Sequence, residues 1–279
     1  MNNTFGIIGG DRRQAELAGL LEADGNRVYT YGLERWKPAG QQSLDQAASA
    51  HTVILPLPLC RGEHVLNCED APMPTRELFR RFHPEQRVLA GQVKPPQQRE
   101  AEACGLTVED YFLREELTVA NAAATAECAI QVAMEHLDRT LLNMDCLVIG
   151  FGRIGKLLSY RLHGLGARVT ATARKPEDLA WIRGYGWTAL ETGRLDGHLH
   201  SFGVVFNTVP SLVLDAPLLS QLPPECLCVD LASQQGIDLA SAEALGLPNV
   251  WARSLPGRLA PRTAAAVIRD AVYHIIREG

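Results

Sequence analysis

The chain has few aromatic residues and no run of basic residues. Of its 279 residues 6% are aromatic, and 27 basic side chains face 32 acidic ones, for a net charge of −5. Nucleic-acid-binding proteins usually present a basic patch. The composition therefore argues against a nucleic-acid partner. A hydrophobic content of 46% predicts a globular protein of one large or two modest domains.

Cysteine is present, but without the spacing of a metal site or a disulfide framework. No Cys-x-x-Cys pair occurs, and the number of cysteines is odd; they are Cys60, Cys68, Cys104, Cys128, Cys146, Cys226 and Cys228. This pattern indicates free thiols in a reducing cytoplasm. His198 and His200 have no cysteine nearby, so no metal site is predicted.

The sequence also shows no targeting or membrane signal. Residues 1–6 lead into a predicted strand, without a charged region before a long apolar core. No apolar run reaches the length of about 20 residues that a membrane span needs. We therefore expect a cytoplasmic protein with no membrane partner.

The clearest motif is a glycine-rich turn between a predicted strand at 146–149 and a predicted helix at 154–166. The first glycine permits a tight turn, the second lets the backbone approach a pyrophosphate, and the third lets the helix pack closely on the strand. The helix N-terminus offers N–H groups and positive potential to phosphates. The predicted cofactor-binding residues here are Gly150, Phe151, Gly152, Arg153, Ile154 and Gly155.

Two basic residues, Arg174 and Lys175, follow the next predicted strand at 168–173. An NAD-binding unit usually carries an acid there, roughly 20 residues after the glycines, which binds the ribose 2′-OH. Two cations suit a 2′-phosphate instead, so NADP is the expected cofactor. The alternative is a solvated basic turn without a cofactor role.

The order of predicted elements indicates an α/β protein with two Rossmann or flavodoxin-like parallel-sheet domains, similar to the two-domain layout of 2-hydroxy-acid dehydrogenases. Residues 1–120 form the expected flavodoxin-like substrate domain, joined by the last helix within 261–279. A bridging helix is predicted at 121–142, with Asn121 as its N-cap. Residues 143–258 form the expected NADP-binding Rossmann domain.

Two further strands of the second domain, at 203–207 and 226–231, end in polar residues. Ligands of open α/β sheets bind at the carboxyl ends of strands. We therefore expect these loops to meet the nicotinamide half of the cofactor, through Asn207, Thr208, Val209, Pro210 and Leu231. Asp230 is a candidate for ribose binding or proton transfer, and a cap for the following loop is the equal alternative.

Taken together, these motifs resemble the A subunit of the bacterial dipicolinate synthase family over nearly the whole chain. The segments that carry the resemblance are residues 9–14, 125–127, 150–155, 173–174, 207–211, 230–233 and 255–264. The chain departs from the family pattern at Ala124, Cys128 and residues 234–236. These departures concern the substrate rather than the fold.

The resemblance implies a reaction and a partner. A cyclic tetrahydropyridine dicarboxylate loses water and is oxidised to pyridine-2,6-dicarboxylate, with NADP⁺ as hydride acceptor, so the protein mainly orients reactants. The family acts in the mother cell during sporulation with a second, flavoprotein-like B subunit. A homo-oligomer is a further possibility.

A dicarboxylate substrate calls for cations on this acidic protein. Arg13 is the first candidate for a carboxylate clamp, because a guanidinium binds a carboxylate through two hydrogen bonds. Arg61 and Arg262 are further candidates, with solvated surface positions as the alternative. Thr125 is expected to donate to substrate and Glu127 to accept a proton, unless the pair caps a helix start. His64 is expected to be solvent-exposed, with a general base as the alternative.

Two other functions stay open. The first is a 2-hydroxy-acid or amino-acid dehydrogenase on the same frame. The hydroxy-acid enzymes use an arginine after the Asp-bearing strand and a histidine before the last helix, and residues 230–235 and 255–263 supply neither. The second is a non-catalytic NADP-binding subunit that supports its partner.

Overall fold

The structure is a computed structural model that describes residues 3–278, with the backbone alone at Gln41 and Gln42. It divides into two compact units. Unit 1 comprises Met1–Asn121 and Pro256–Gly279, and unit 2 comprises Ala122–Leu255. The last helix thus lies in unit 1. The assignment of substrate and cofactor to separate domains stays a prediction.

Unit 1 is built on a six-stranded sheet with the order β3-β2-β1-β4-β7-β8. Its neighbouring strands all pair in parallel. Without the two-residue strand β3, the order is that of a flavodoxin-like sheet. The elements are β1 (Thr4–Ile8), α1 (Arg12–Ala23), β2 (Arg27–Tyr31), β3 (Gln41–Gln42), α2 (Leu44–Ala48), β4 (Thr52–Ile54), β5 (Cys60–Arg61), β6 (Val65–Leu66), α3 (Thr75–Phe79), β7 (Arg87–Ala90), α4 (Pro95–Ala103) and β8 (Val108–Asp110).

Unit 2 contains a second six-stranded parallel sheet, with the order β11-β10-β9-β12-β13-β14. This is the Rossmann order, in which the strand sequence reverses next to the first strand. The elements that follow β8 are α5 (Glu115–His136), β9 (Asp145–Ile149), α6 (Arg153–Gly164), β10 (Arg168–Ala173), α7 (Pro176–Gly184), β11 (Thr188–Glu191), β12 (Val204–Asn207), α8 (Ala216–Leu219), β13 (Leu227–Asp230), α9 (Leu239–Ala244), β14 (Asn249–Trp251), α10 (Leu255–Leu259) and α11 (Pro261–Glu278).

Central strands are buried on both faces, as parallel sheets require. In β1, Phe5 and Ile7 pack into the cluster that contains Leu17 of α1 and Ile268 of α11, whereas Ile8 packs into the cluster on the other face. Side chains alternate across a strand, so an uninterrupted apolar run fills both layers. The carboxyl ends of these strands carry the loops described below.

The bridging helix differs from the prediction of 121–142. Helix α5 begins at Glu115 and ends at His136. Asn121 therefore lies inside the helix and is not its N-cap. Glu115 and Glu116, which the prediction left before the helix, supply the acidic first turn that a helix N-terminus favours.

Helix α5 also corrects the expectation that no segment is long and apolar enough to cross a membrane. In the described part of the chain it is the one helix that meets this test, by length and composition only. About half of its apolar window, 56%, is buried inside the protein. An alanine-rich core helix passes the same test, because burial and lipid favour the same side chains.

Candidate functional site

The glycine-rich turn joins β9 to α6, and two of its glycines are required by the backbone. Gly150 has a φ of 97°, which side chains other than hydrogen disfavour. At Gly155 an added Cβ would lie 2.0 Å from the carbonyl oxygen of Gly150. The turn can therefore form only with glycine at both positions.

Gly152 differs, because neither conformation nor packing requires glycine there. Its φ of −78° is open to any residue, and an added Cβ would meet nothing within 4 Å. It is the N-cap of α6, and no side chain caps the helix there. The N-terminus of α6 thus begins beside open space at Gly152, which fits a bound pyrophosphate.

Threonine hydroxyls hold this turn in place. The Gly150 N–H donates to Thr172 Oγ1 of β10 at 3.2 Å. Thr208, after β12, donates from its hydroxyl and from its backbone N–H to the Ile149 carbonyl, both at 2.9 Å. The buried Phe151 ring packs edge-on against Trp187, with centroids 6.4 Å apart. The turn is therefore fixed without a ligand.

The two predicted 2′-phosphate cations, Arg174 and Lys175, are exposed between β10 and α7. An acid does lie near them, since Glu191 of β11 pairs in register with Ala173. Its carboxylate is held by Arg194, with 2.9 Å between Nε and Oε2. Arg194 thereby partly balances the charge of Glu191. Arg174 and Lys175 then determine the sign of the local electrostatic potential.

Asp230 is fully buried, and each of its oxygens accepts two hydrogen bonds. Oδ1 accepts from Asn207 Nδ2 at 2.8 Å and from Ala232 N at 3.0 Å. Oδ2 accepts from Gly236 N at 2.7 Å and from Ile237 N at 3.0 Å. A carboxylate has about four acceptor positions. This geometry favours the cap for the loop after β13 over proton transfer.

Asn207 shapes its own loop in the same way. Its side chain is fully buried, accepts from Val209 N at 3.1 Å and donates to Val209 O at 3.0 Å. Pro210 is exposed beyond this turn, and Leu231 is buried after β13. The amide of Asn207 therefore holds its own loop and Asp230, and the N–H groups of Thr208 and Val209 are bonded within the protein as well.

Arg13 is buried and tied to groups of its own unit. Its Nε donates to Asp11 Oδ1 at 2.9 Å and its Nη2 to Asp11 Oδ2 at 2.8 Å, and Nη2 also donates to the Leu57 carbonyl. Burial lowers the pKa of this guanidinium, but the hydrogen bonds and charge of Asp11 outweigh it, so the pKa is raised. A Cβ at Gly257 would lie 3.0 Å from Arg13 Nε. This geometry favours a structural role for Arg13 as a brace, that is, a side chain that connects the turn after β1, the loop after β4 and α10.

The other predicted substrate residues lie in both units. In unit 1, exposed Arg61 donates to Asn67 Oδ1 and Glu69 Oε1, both at 2.9 Å, and Arg262 is exposed in the first turn of α11. In unit 2, Thr125 is buried in α5, and exposed Glu127 pairs with Arg161 of α6 at 2.9 Å. Both α5 residues lie well inside the helix, so the capping alternative for this pair is wrong.

His64 has an exposed side chain, as expected, and its Nδ1 lies 2.7 Å from Glu100 Oε1. The roles of Asp11 and Thr172 were not predicted from the sequence. No motif marks them, because each acts through a partner on another segment. The position of Thr172, at the end of a strand parallel to the one that enters the glycine turn, was the one available signal.

The two parallel-sheet units and the open glycine turn define a two-domain fold of the dehydrogenase type. The solved structure of a D-lactate dehydrogenase from Sporolactobacillus sp. matches with a TM-score of 0.64 at 12% identity, over 98% of this chain and 95% of that chain. At this identity the likeness shows the fold alone. The predicted fold class is confirmed.

Three further matches are to the A subunit of dipicolinate synthase. The family model for the N-terminal domain of the dipicolinate synthase A subunit matches residues 4–112. The dipicolinate synthase A subunit of Bacillus subtilis (strain 168) is 28% identical over 282 residues, which cover 98% of this chain and 95% of the relative. The crystal structure of the same subunit from Bacillus halodurans matches with a TM-score of 0.88 at 25% identity, over 99% of this chain and 98% of that chain. The chain is thus similar to the dipicolinate synthase A subunit over nearly its whole length, and the resemblance stated from the sequence is confirmed.

Proposed function

We propose that this chain is an NADP-dependent oxidoreductase that forms pyridine-2,6-dicarboxylate as the A subunit of a dipicolinate synthase. The observation that carries the proposal is the glycine turn, whose second glycine borders open space at an α6 N-terminus without a side-chain cap. The turn occurs in a chain similar to that subunit over 98% of its length.

The proposed reaction balances without further reactants. A 4-hydroxy-tetrahydrodipicolinate loses water, and the dihydrodipicolinate that results loses a hydride and a proton to become aromatic. Bound NADP⁺ supplies the hydride acceptor. Because aromatisation favours product, the chain's own residues have to bind, orient and balance charge.

For the cofactor, we assign the pyrophosphate to the α6 N-terminus at Gly152 and the 2′-phosphate to Arg174 and Lys175. An exposed guanidinium and ammonium side by side suit a dianionic phosphate. The backbone of residues 208–210, held by Asn207, is assigned to the nicotinamide half. Unit 2 is thus the proposed NADP domain.

For the substrate, we assign the carboxylates to the exposed cations Arg61 and Arg262 of unit 1, with Arg13 as their brace. Arg61 already faces Glu69, so a substrate carboxylate has to compete with that ion pair. Thr125 and Glu127 stay candidates for the hydroxyl donor and the proton acceptor. Glu127 is exposed and has one basic partner in Arg161, which leaves acceptor positions open.

We propose that the chain works with a B subunit, since a relative named as one lettered subunit of a synthase is one part of an assembly. The proposed setting, the cytoplasm of the mother cell, is what the sequence resemblance implies.

A supporting role without catalysis is the second candidate. One observation favours it: Asp230, a buried candidate for proton transfer, has all its acceptor positions filled by the protein. An NADP-binding chain that only assists the B subunit would need no free base.

The experiment that tests the proposal follows product formation by chromatography. The purified chain, alone and with a candidate B subunit, is supplied with the fresh product of dihydrodipicolinate synthase and either NADP⁺ or NAD⁺. Pyridine-2,6-dicarboxylate formed faster with NADP⁺ is the expected result. If NADP⁺ binds tightly but no product forms under either condition, the reaction assignment is wrong. That result would favour the non-catalytic supporting role.

A further inference from the structure

A pair of threonine hydroxyls links the glycine turn to the edge of the unit 2 sheet. Thr172 of β10 is fully buried, and its Oγ1 accepts the N–H of Gly150 at 3.2 Å. The same oxygen lies 3.0 Å from Oγ1 of Thr192, the residue that follows β11. Three segments of the sheet thus meet at one buried hydroxyl.

The chemistry of the groups gives this chain of hydrogen bonds a direction. A backbone N–H can only donate, so Thr172 Oγ1 is the acceptor for Gly150. The proton of Thr172 then goes to its other partner, Thr192 Oγ1, because a buried hydroxyl without an acceptor is costly. Thr192 therefore receives a hydrogen bond from Thr172, and its own proton is directed elsewhere.

Thr192 stands beside the two cations. Its backbone N–H donates to the Ala173 carbonyl at 3.0 Å, and Ala173 immediately precedes Arg174. The Thr192 side chain is partly exposed, whereas Thr172 behind it is not. The carboxyl ends of β10 and β11 thus place the Thr192 hydroxyl beside the strand end from which Arg174 and Lys175 follow.

We propose that Thr192 donates a hydrogen bond to the ribose 2′-phosphate of NADP, with Thr172 as the positioning residue behind it. The proposal rests on the proposed function and deepens it, by adding a neutral donor to the two cations. The hydroxyl is already held by Thr172, so less rotamer freedom is lost when the phosphate binds. Cations alone attract any phosphate, whereas a fixed donor adds a geometric requirement.

The test measures dissociation constants by calorimetry for three probes: NADP⁺, NAD⁺ and 2′,5′-ADP. Thr192→Val removes the hydroxyl at nearly constant shape, Thr192→Ser keeps it, and Thr170→Val on the neighbouring strand is the matched control. Thr192→Val should weaken NADP⁺ and 2′,5′-ADP about tenfold, the loss expected for one hydrogen bond to a charged group, and NAD⁺ less than about twofold. Thr192→Ser should restore the affinity, and Thr170→Val should bind as the wild type.

The positioning role of Thr172 gives a second readout. Thr172→Val removes the acceptor of the Gly150 N–H as well as the donor to Thr192. Both dinucleotides should therefore bind more weakly, and the ratio of NADP⁺ to NAD⁺ affinity should also fall. An unchanged ratio would show that Thr172 only supports the turn, and would overturn its positioning role.

Failure of this inference and failure of the proposed function give different results. If wild-type protein binds NADP⁺ in preference to NAD⁺ but Thr192→Val binds all probes unchanged, or loses NAD⁺ and NADP⁺ equally, the Thr192 assignment alone is overturned. If the wild type shows no preference for NADP⁺, both are overturned. Thr192→Ala, checked for folding by circular dichroism, replaces Thr192→Val if the latter does not fold.

Discussion

The carboxylate of Asp230 accepts a hydrogen bond from the side-chain amide of Asn207 at 2.8 Å, between neighbouring strands β13 and β12. Both side chains are fully buried, and each also bonds to the backbone of the loop that follows its strand. The two loops at this edge of the Rossmann sheet are therefore fixed from inside the protein. Asn207 and Asp230, whose positions suggest ligand binding, thus hold the loops after their own strands.

Asp230→Ala should lower the free energy of unfolding of unit 2 by about 3 kcal/mol or more. Three backbone N–H groups and one amide would lose their acceptor, at roughly 1–3 kcal/mol for each buried group left unpaired. Urea unfolding measures the change. Asp238→Ala, which removes the partly exposed N-cap of α9, is the control and should lower the stability much less. A stable Asp230→Ala protein that has lost only turnover would restore the catalytic role.

Gly152→Val and Gly155→Val should separate binding from folding. At position 152 the side chain would enter open space, so stability should hold while dinucleotide binding is lost. At position 155 the Cβ would collide with the Gly150 carbonyl, so the protein should be destabilised by about 2 kcal/mol or more. Calorimetry and thermal unfolding of both variants provide the comparison. Tight binding of NADP⁺ by Gly152→Val would exclude the pyrophosphate assignment.

Arg174→Asp combined with Lys175→Ala should weaken NADP⁺ by about a hundredfold and leave NAD⁺ within about threefold. Two charge-assisted contacts to the 2′-phosphate are lost, each worth about 1.5 kcal/mol or more. Arg183→Asp combined with Arg194→Ala changes the net charge by the same three units at other exposed positions, and is the control. An unaltered preference between the two cofactors in the double variant would remove these cations from the site.

Arg13→Ala should destabilise unit 1 rather than act only on substrate affinity. Its loss leaves Asp11 without its ion-pair partner and the Leu57 carbonyl without that donor. Breaking a largely buried ion pair from one side costs about 3–5 kcal/mol, and the partial exposure of Asp11 reduces this to about 2 kcal/mol. Arg12→Ala, an exposed neighbour paired with Glu16, should change stability by less than about 0.5 kcal/mol. If Arg13→Ala unfolds like the wild type but has a higher KM, Arg13 is a substrate clamp after all.

The sequence predicted the fold best where a local pattern is sufficient. Strands β1 and β10 and the glycine turn lie where the apolar runs and glycines place them. Strand β11 was missed, because Thr188–Glu191 is an edge strand without fully buried side chains and so lacks an apolar run. The start of α5 was missed because Asn121 is a favourable N-cap residue and was taken as the helix start, whereas it lies inside the helix.

The site residues were harder to predict than the fold. The sequence places Asp230 and Arg13 at strand and helix ends where ligands bind, and the structure has both residues at those ends. Their hydrogen-bond partners lie on other segments, as with Leu57 for Arg13 and Gly236 for Asp230, and no spacing rule reports such contacts. A residue's position at a sheet edge therefore predicts that it is a candidate site residue. Whether its polar atoms are already bonded within the protein decides between a structural and a catalytic role.

The most direct measurement is the stoichiometry of the coupled reaction, followed by absorbance. The chain with a candidate B subunit is mixed with NADP⁺ and freshly made dihydrodipicolinate synthase product, and the NADPH band and the ultraviolet band of pyridine-2,6-dicarboxylate are recorded together. The proposed function predicts that both bands grow in equal molar amounts, and that neither grows without this chain. Growth of the pyridine band without NADPH, or at the same rate when this chain is left out, would contradict it.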